Sequence, residues 1–345
     1  METLIRKLSD MRGVSGHEYR ISDQIADLFR QYADEVSIDA LGNIIAVKKA
    51  AKKHAKKIMI EAHMDEIGLM VKEIDKRGFL TFVNIGGVDN RILPALEVTV
   101  HGVRDLKGVI GAKPPHLQEP GEAKKSTKIS DMAIDVGMDY DEVSKIVSVG
   151  DTVSLPQSVG KMGTQLSGKS MDDRASVAAL LTVLENLKRV NLDVDVYAVA
   201  AVQEEVGCRG AKVAAYGIEP DLAVAVDVCH GITPDNSHNA FETGTGTVIS
   251  IGPNIHPKLH KRLIDTAEKY HVAYHVDADG GETGTDAWTI QIARAGVPTA
   301  LLSIPLKYMH TAVETLSVSD VEATASLLTY FIQNLEGDME EWLCY

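Results

Sequence analysis

Apolar positions along the chain recur at two spacings, and the spacing changes with position. Leu4, Ile5 and Leu8 share a helical face. Ile21, Ile25 and Leu28 resume that spacing after Ser15-Gly16, so residues 1–33 read as helical. Ser15, three residues before Glu18, has the form of a capping box. Val36 to Lys48 reads as two short strands around Leu41-Gly42-Asn43. From Ile58 onward, apolar runs alternate with helical stretches. The runs are Ile58–Ala62, Val194–Val202, Leu222–Val226 and Thr299–Ile304. The helical stretches are Asp173–Lys188, Pro257–Tyr270, Asp286–Ala295 and Ser319–Leu335. That alternation predicts an α/β fold, a mostly parallel mixed sheet with helices on both faces.

Between about 67 and 160 the pattern is different. Gly68–Ile74, Phe79–Val83, Glu97–Gly102 and Gly108–Ile110 are short and rich in Val and Ile. Asp75–Gly78 and Arg104–Lys107 read as hairpin loops, and one helix is expected near Asp141–Val147. We read 67–160 as a mainly-β domain inserted into a host made of 1–66 and 161–345, since insertion at an exposed loop preserves the host core. Lys113–Ser130 is polar and proline-containing, and is expected to be mobile.

Composition narrows the function. The chain has 345 residues, with 35 Lys plus Arg against 49 Asp plus Glu, a formal net charge of −14. Nucleic acid and anionic membranes both require a basic footprint, so neither is expected as a partner. The N-terminus METLIRKLSD lacks the apolar core of a secretory signal, and no run is long enough to span a membrane, so a cytoplasmic protein is expected. Cys208, Cys229 and Cys344 cannot all pair and form no C-x-x-C, which argues against a disulfide framework or a thiolate metal site.

Five residues of metal-ligating type take related positions. His63, Glu205 and Asp227 follow predicted strands, and His310 lies on the connection after a fourth. The carboxyl edge of an open α/β sheet is where sites assemble. Asp172 begins a helix, where an Asp by itself reads as an N-cap, but a helix start can project into the same crevice. Glu204-Glu205 closes a buried strand, and two adjacent carboxylates there repel unless a cation or proton neutralises them. Two histidines and three carboxylates suit two divalent ions such as zinc, cobalt or manganese. One carboxylate can hold both ions. Asp65, two residues after His63, can accept the imidazole's other N–H. Glu204 is left free to move a proton during hydrolysis. A glycosidase built on Glu204-Glu205 is disfavoured, because neighbours at one strand end cannot easily flank a sugar bond.

The ordered motifs resemble the M42 family of metallo-aminopeptidases across nearly the whole chain. They are Val14–Glu18, Ala62–Gly68, Gly111–Leu117, Lys169–Arg174, Gln203–Gly207, Ala225–Asp227, Gly284–Ala287 and Tyr308–His310. The resemblance implies a zinc-peptidase-like fold in which the inserted domain mediates dimerisation, often toward a hollow dodecamer. It implies Asp172 as the bridging carboxylate, His63 and Asp227 completing one metal site, and Glu205 and His310 the other. Glu204 would be the general base and Asp65 the support of His63. Asp173 would be a support and not a ligand. The implied activity is removal of the N-terminal residue from short peptides with a free N-terminus. Related di-metal amidohydrolases (dipeptidase, carboxypeptidase, N-acyl-amino-acid deacylase) would use the same ligands. Cys208 and Thr311 depart from common family versions, which bears on specificity.

Overall fold

The computed structural model describes residues 1–117, 126–156, 158–336 and 339–343. Part of the expected mobile loop, 118–125, and Cys344 lie outside the described residues. The first segment holds α1 (Glu2–Ser9), α2 (Ser22–Phe29), β1 (Glu35–Ile38), β2 (Ile44–Lys48) and β3 (Lys56–His63). Six strands follow: β4 (Gly68–Ile74), β5 (Leu80–Ile85), β6 (Glu97–His101), β7 (Asp105–Ile110), β8 (Ile134–Asp135) and β9 (Thr152–Ser154). The short α3 (Tyr140–Val143) precedes β9. The second half holds β10 (Gly160–Met162), β11 (Gln165–Gly168), α4 (Met171–Leu187), β12 (Val194–Ala201), α5 (Arg209–Ile218) and β13 (Leu222–His230). After these come β14 (Thr247–Ile251), α6 (Pro257–Tyr270), β15 (Tyr274–Ala278), α7 (Asp286–Gln291), β16 (Thr299–Lys307), β17 (Glu314–Ser317) and α8 (Val318–Gln333).

The main sheet runs β1-β2-β12-β3-β13-β16-β17-β11-β10, with β14 and β15 branching from β16. Its centre, β12-β3-β13-β16, is parallel, and antiparallel strands flank it on both sides. Side chains of the central strands divide by alternation between two cores, as pleating requires. Ile58, Ile60 and Ala62 pack with helices α1, α2, α4, α6 and α8. Met59, Val199 and Ala225 pack with α5 and α7 on the opposite face. Helix α4 is buried over most of its surface, with Glu185 and Asn186 exposed near its end, so its apolar residues spread beyond one face.

Strands β4 to β9 close into a barrel in the order β4-β5-β8-β7-β6-β9. The barrel has its own core, including Leu69, Phe82, Val98, Val100, Ile134 and Val153. No helix among the described residues is long and apolar enough to cross a membrane.

Four local expectations are corrected. Residues 1–33 hold two helices, Glu2–Ser9 and Ser22–Phe29, and between them a non-helical stretch with a bridge at Val14 leads to a 3-10 turn at Glu18–Arg20. The capping box does not form, because Glu18 is buried and accepts the backbone N–H of Gly16 at 2.9 Å and of Gln203 at 3.0 Å. The second hairpin turn comes earlier than expected, since Asp105–Lys107 already belongs to β7. Asp227 stands inside β13, because that strand continues past Val226 to His230.

A buried ion cluster joins the N-terminal segment to the sheet. Glu66 accepts the Gly13 N–H at 2.8 Å and Lys169 Nζ at 2.5 Å, with Arg174 Nη2 3.4 Å away. Burial alone would raise the Glu66 carboxyl, yet Lys169 and Arg174 hold it down at about 2. Arg174 is fully buried and donates to the carbonyls of Met64 at 3.0 Å, Leu8 at 3.2 Å and Gly13 at 3.3 Å. Arg174→Met strips the guanidinium from those carbonyls, of which Leu8 and Gly13 keep the backbone N–H of Met11 and Glu66, and removes one of Glu66's two cations. It should destabilise the protein by about 3 kcal/mol or more. Urea unfolding measures this as a lower midpoint at unchanged slope.

Candidate metal centre

The carboxyl ends of the four parallel strands converge on one crevice. β3 ends at His63, the segment after β12 carries Glu204 and Glu205, β13 carries Asp227, and the segment after β16 carries His310. Asp172 reaches the crevice from the start of α4. Its ψ of 104° is non-helical, and the peptide joining it to Asp173 is cis.

Asp172 lies between the two imidazoles. Its Oδ1 is 3.2 Å from His63 Nε2 and its Oδ2 is 3.3 Å from His310 Nε2. Glu205 Oε2 is 3.4 Å from His310 Nε2. His63, Asp172 and Glu205 bring ligand-type atoms within 4.8 Å of one another. His63, Asp173 and Asp227 form a second such group. All five expected ligand-type residues therefore meet in the crevice. Asp173 joins them, fully buried, with neither carboxylate oxygen hydrogen-bonded.

The surrounding residues fix these groups. Asp65 stands 3.4 Å from His63 Nδ1 and accepts the backbone N–H of Glu204 at 3.1 Å and of Glu205 at 3.2 Å. It thereby orients the imidazole and the Glu204-Glu205 loop together. His310 Nδ1 is paired with the carbonyl of Gly87 at 3.1 Å, which leaves Nε2 for the carboxylates. Gly87 must be glycine, since a Cβ there would stand 2.7 Å from the His310 ring. The barrel thus contributes to the crevice through the segment after β5.

The charge balance is unusual. Burial pushes Glu205 well up, and the negative charge of Asp172 adds to it. Burial and the neighbouring Asp172 charge likewise raise Asp227. Burial opposes protonation of His310, yet Asp172 and Glu205 push it up to about 10. Carboxylates outnumber cations here, and no Lys or Arg lines the cavity among the described residues. Oxygen and imidazole donors around unneutralised buried charge fit hard to borderline divalent cations.

Several contributing residues carried no assigned role in the sequence. Glu314 accepts the Met171 N–H at 2.7 Å, the Asp172 N–H at 3.1 Å and the His310 N–H at 3.1 Å. Nothing in its sequence context signals this, because each partner but His310 is distant along the chain. Glu61 carried a signal, being a carboxylate within the apolar run Ile58–Ala62. It is buried against Asp286, whose carboxyl burial and Glu204 push up to about 7. Cys208 also proves to touch the centre, as its Sγ donates to Glu204 Oε1 at 3.1 Å. Burial and the Glu204 charge push that thiol up, so it stays protonated. Cys208 and Cys229 are free thiols.

A sheet of this topology, with an inserted barrel and a histidine–carboxylate crevice, defines a metallopeptidase-like hydrolase. The M42 glutamyl aminopeptidase family model matches residues 42–327, and the chain belongs to that family of metal-dependent aminopeptidases. A lysyl aminopeptidase of Pyrococcus furiosus is 39% identical over 344 residues, covering 96% of this chain and 97% of the relative. An aminopeptidase from Desulfurococcus kamchatkensis superposes with a TM-score of 0.91 at 38% identity, covering 99% of this chain and 96% of that one. The TET1 peptidase of Pyrococcus horikoshii, which can assemble into a tetrahedron or a large octahedral shell, has a TM-score of 0.86 at 31% identity. That match covers 97% of this chain and 99% of the TET1 chain. The protein is therefore an aminopeptidase by family.

Glu314→Gln replaces an acceptor with an amide N–H facing backbone N–H donors. It should weaken divalent-metal retention about 10–100-fold, as loss of a ligand's support does. Metal content after dialysis against graded chelator measures the loss.

Proposed function

We propose that the protein is a di-metal aminopeptidase that removes the first residue of short peptides with a free N-terminus. The observation that carries this reading is Asp172, whose two oxygens each face a different imidazole. Asp172, His63, Asp227, Glu205 and His310 would hold two divalent ions, Asp172 shared between them, His63 and Asp227 serving one and Glu205 and His310 the other. Zinc, cobalt and manganese all suit these donors. When bound, the pair of ions supplies Lewis acidity toward the scissile carbonyl and activates water.

The chain's own groups do the rest. Glu204 acts as general base, taking a proton from water and returning it to the leaving amine. Burial raises its carboxyl above the ordinary range, which suits proton exchange nearer neutrality. Its Oε2 stands 3.9 Å from His63 Nε2, at the edge of the ligand cluster, and Cys208 holds its other oxygen. Asp65 fixes the backbone on which Glu204 rides. The surplus of carboxylates in the crevice favours a substrate bearing a free ammonium over an acylated one.

The barrel of β4 to β9, within the inserted domain 67–160, is read as the dimerisation domain. A homo-oligomer, dimer or dodecamer, is part of this reading, which the likeness to the self-assembling TET1 peptidase supports. Cytoplasmic residence is part of the same reading. The names of relatives leave the preferred first residue open, since the family is named glutamyl and one relative lysyl.

Glu204→Gln should keep both metals and lose about 10²–10⁴-fold in kcat. His63→Ala should lose metal as well as turnover. Metal analysis beside hydrolysis of free and N-acetylated peptides checks both. Near-normal turnover of metal-loaded Glu204→Gln, or cleavage of the acetylated series, would sink the assignment.

A further inference from the structure

The carboxylates of the crevice exceed what two divalent ions neutralise. The pair of ions would answer Asp172, Asp173, Asp227 and Glu205. Glu204, Asp286 and Glu61 remain, and no Lys or Arg lines the cavity among the described residues. Asp286 is 3% exposed, and neither of its carboxylate oxygens has a hydrogen-bond partner. Its neighbour Glu61 is 1% exposed and leaves Oε1 unpaired as well. A proton shared by Glu61 and Asp286 removes one of these charges. The remainder still lies beside Glu204 and the Cys208 thiol.

The fold fixes Glu204, Cys208 and Asp286 against one another. Glu204 and Cys208 belong to one turn, in which the Glu204 carbonyl accepts the Cys208 N–H at 2.8 Å. Cys208 Sγ lies 3.1 Å from Glu204 Oε1. Asp286 opens α7, which shares a core with α5 through Ala211, Ala287 and Ile290. Thr289 Oγ1 spans the two elements, 3.3 Å from the Cys208 carbonyl oxygen and 3.1 Å from that of Asp286. Ligand-type atoms of Glu204, Cys208 and Asp286 thus lie within 4.8 Å of one another. An ion with bonds of about 2.0–2.3 Å spaces its ligand atoms about 3.5 Å apart, so small side-chain movements suffice. Glu204 and Cys208 line the cavity, of about 730 Å³, through which an ion would enter. The sulfur sets the class of ion, because a thiolate among carboxylates suits zinc or cadmium and not magnesium or manganese. Burial and the charges of Glu204 and Asp286 hold the free thiol protonated, so the ion must displace that proton. With three donors and a proton to displace, this site fills after the main centre.

We propose that Glu204, Cys208 and Asp286 form a third, inhibitory site for a thiophilic divalent cation, zinc in excess, which binds the general base and stops turnover. Coordination takes the Glu204 oxygen that otherwise accepts a proton from water. The inhibitory effect rests on the reading of Glu204 as general base, whereas the binding of the ion stands without it. Activity therefore rises as the main centre fills and falls as the third ion enters.

The test titrates zinc-loaded enzyme with Cd²⁺ and reads three signals together: thiolate-to-cadmium absorbance in the ultraviolet, metal content and peptide turnover. The wild type should take up one cadmium beyond its zinc, show the charge-transfer band, and lose turnover in step with it. Cys208→Ser should abolish the band, and Cys229→Ser, whose thiol also lines the cavity, should keep it. The cadmium needed for half-inhibition is scaled to each variant's own turnover. It should rise about tenfold or more in Cys208→Ser and in Asp286→Asn, since losing a ligand costs at least the about 10–100-fold of losing a ligand's support. Asp286→Asn keeps the side chain's shape and serves where Cys208→Ser does not fold. No third ion in the wild type, a band that survives Cys208→Ser, or cadmium taken up only in exchange for zinc overturns the site while leaving the aminopeptidase standing. A third ion bound with turnover intact overturns the inhibition, and the turnover of Glu204→Gln then decides separately whether Glu204 is the base. If no peptide is cleaved, the aminopeptidase reading fails on its own, and the band and the metal content still decide the site.

Discussion

Negative charge gathered at one edge of the sheet is the constraint on which the rest of this structure depends. Asp172, Asp173 and Asp227 are buried beside His63, with Glu205 and His310 closing the group. Ionised carboxylates taken out of water are costly unless paired with cations. In the chain alone, that debt is met by protons. Burial keeps Glu205 and Asp227 protonated to unusually high pH, and the two imidazoles are drawn toward their cationic forms. Divalent cations would neutralise the same groups with fixed geometry and would release those protons. The crevice is therefore arranged for cations before any substrate arrives.

Such a centre needs a frame that resists its own repulsion, and three distant pieces of chain supply it. The Glu66–Lys169–Arg174 cluster ties the N-terminal segment, the end of β3 and the start of α4 together one layer away. Its own charges are paired, with Glu66 held ionised by two cations. Asp65 links His63 to the Glu204-Glu205 loop, and Glu18 braces the same loop through Gln203. Glu314 ties the backbone of Asp172 to that of His310. Apart from the short steps from Asp65 to His63 and from Glu314 to His310, these links join residues more than a hundred positions apart. The centre's geometry is thus a property of the whole fold.

The division between what the sequence discloses and what it hides follows from range. The parallel strands and α6 were legible because buried strands are continuous apolar runs and α6 has a clear helical period and Pro257 at its start. The candidate ligands were legible because strand ends fall on one edge of the sheet. The resemblance to the family then assigned their roles. β14, β15 and α5 were missed. β14 and β15 are short and branch from the main path, and α5 buries mainly alanines and carries Gly210 and Gly217, so few large apolar side chains mark its face. Asp227 looked like a residue beyond a strand, because a charge usually ends an apolar run, yet hydrogen bonding to β16 carries the strand through it. Glu18 resembled a local cap, whereas its partner Gln203 lies far along the chain and is visible only after folding. Glu314 and Asp65 hold the centre through backbone N–H groups, which leave no trace in side-chain patterns.

The same topology separates the ligand-bearing edge from the far wall of the cavity. The crevice is built where the central parallel strands end, so any change there disturbs both cores and the buried charge balance. The far wall of the cavity lies on β14 and β15, which among the described residues join the sheet through β16. Among the described residues β15 pairs with β14 alone. Substitutions on β14 and β15 leave in place the strand ends that carry His63, Asp227 and the Glu204-Glu205 loop. A fold arranged this way can reshape the far wall of its cavity while the edge that carries the ligand-type residues stays as it is, because the two lie on different strands.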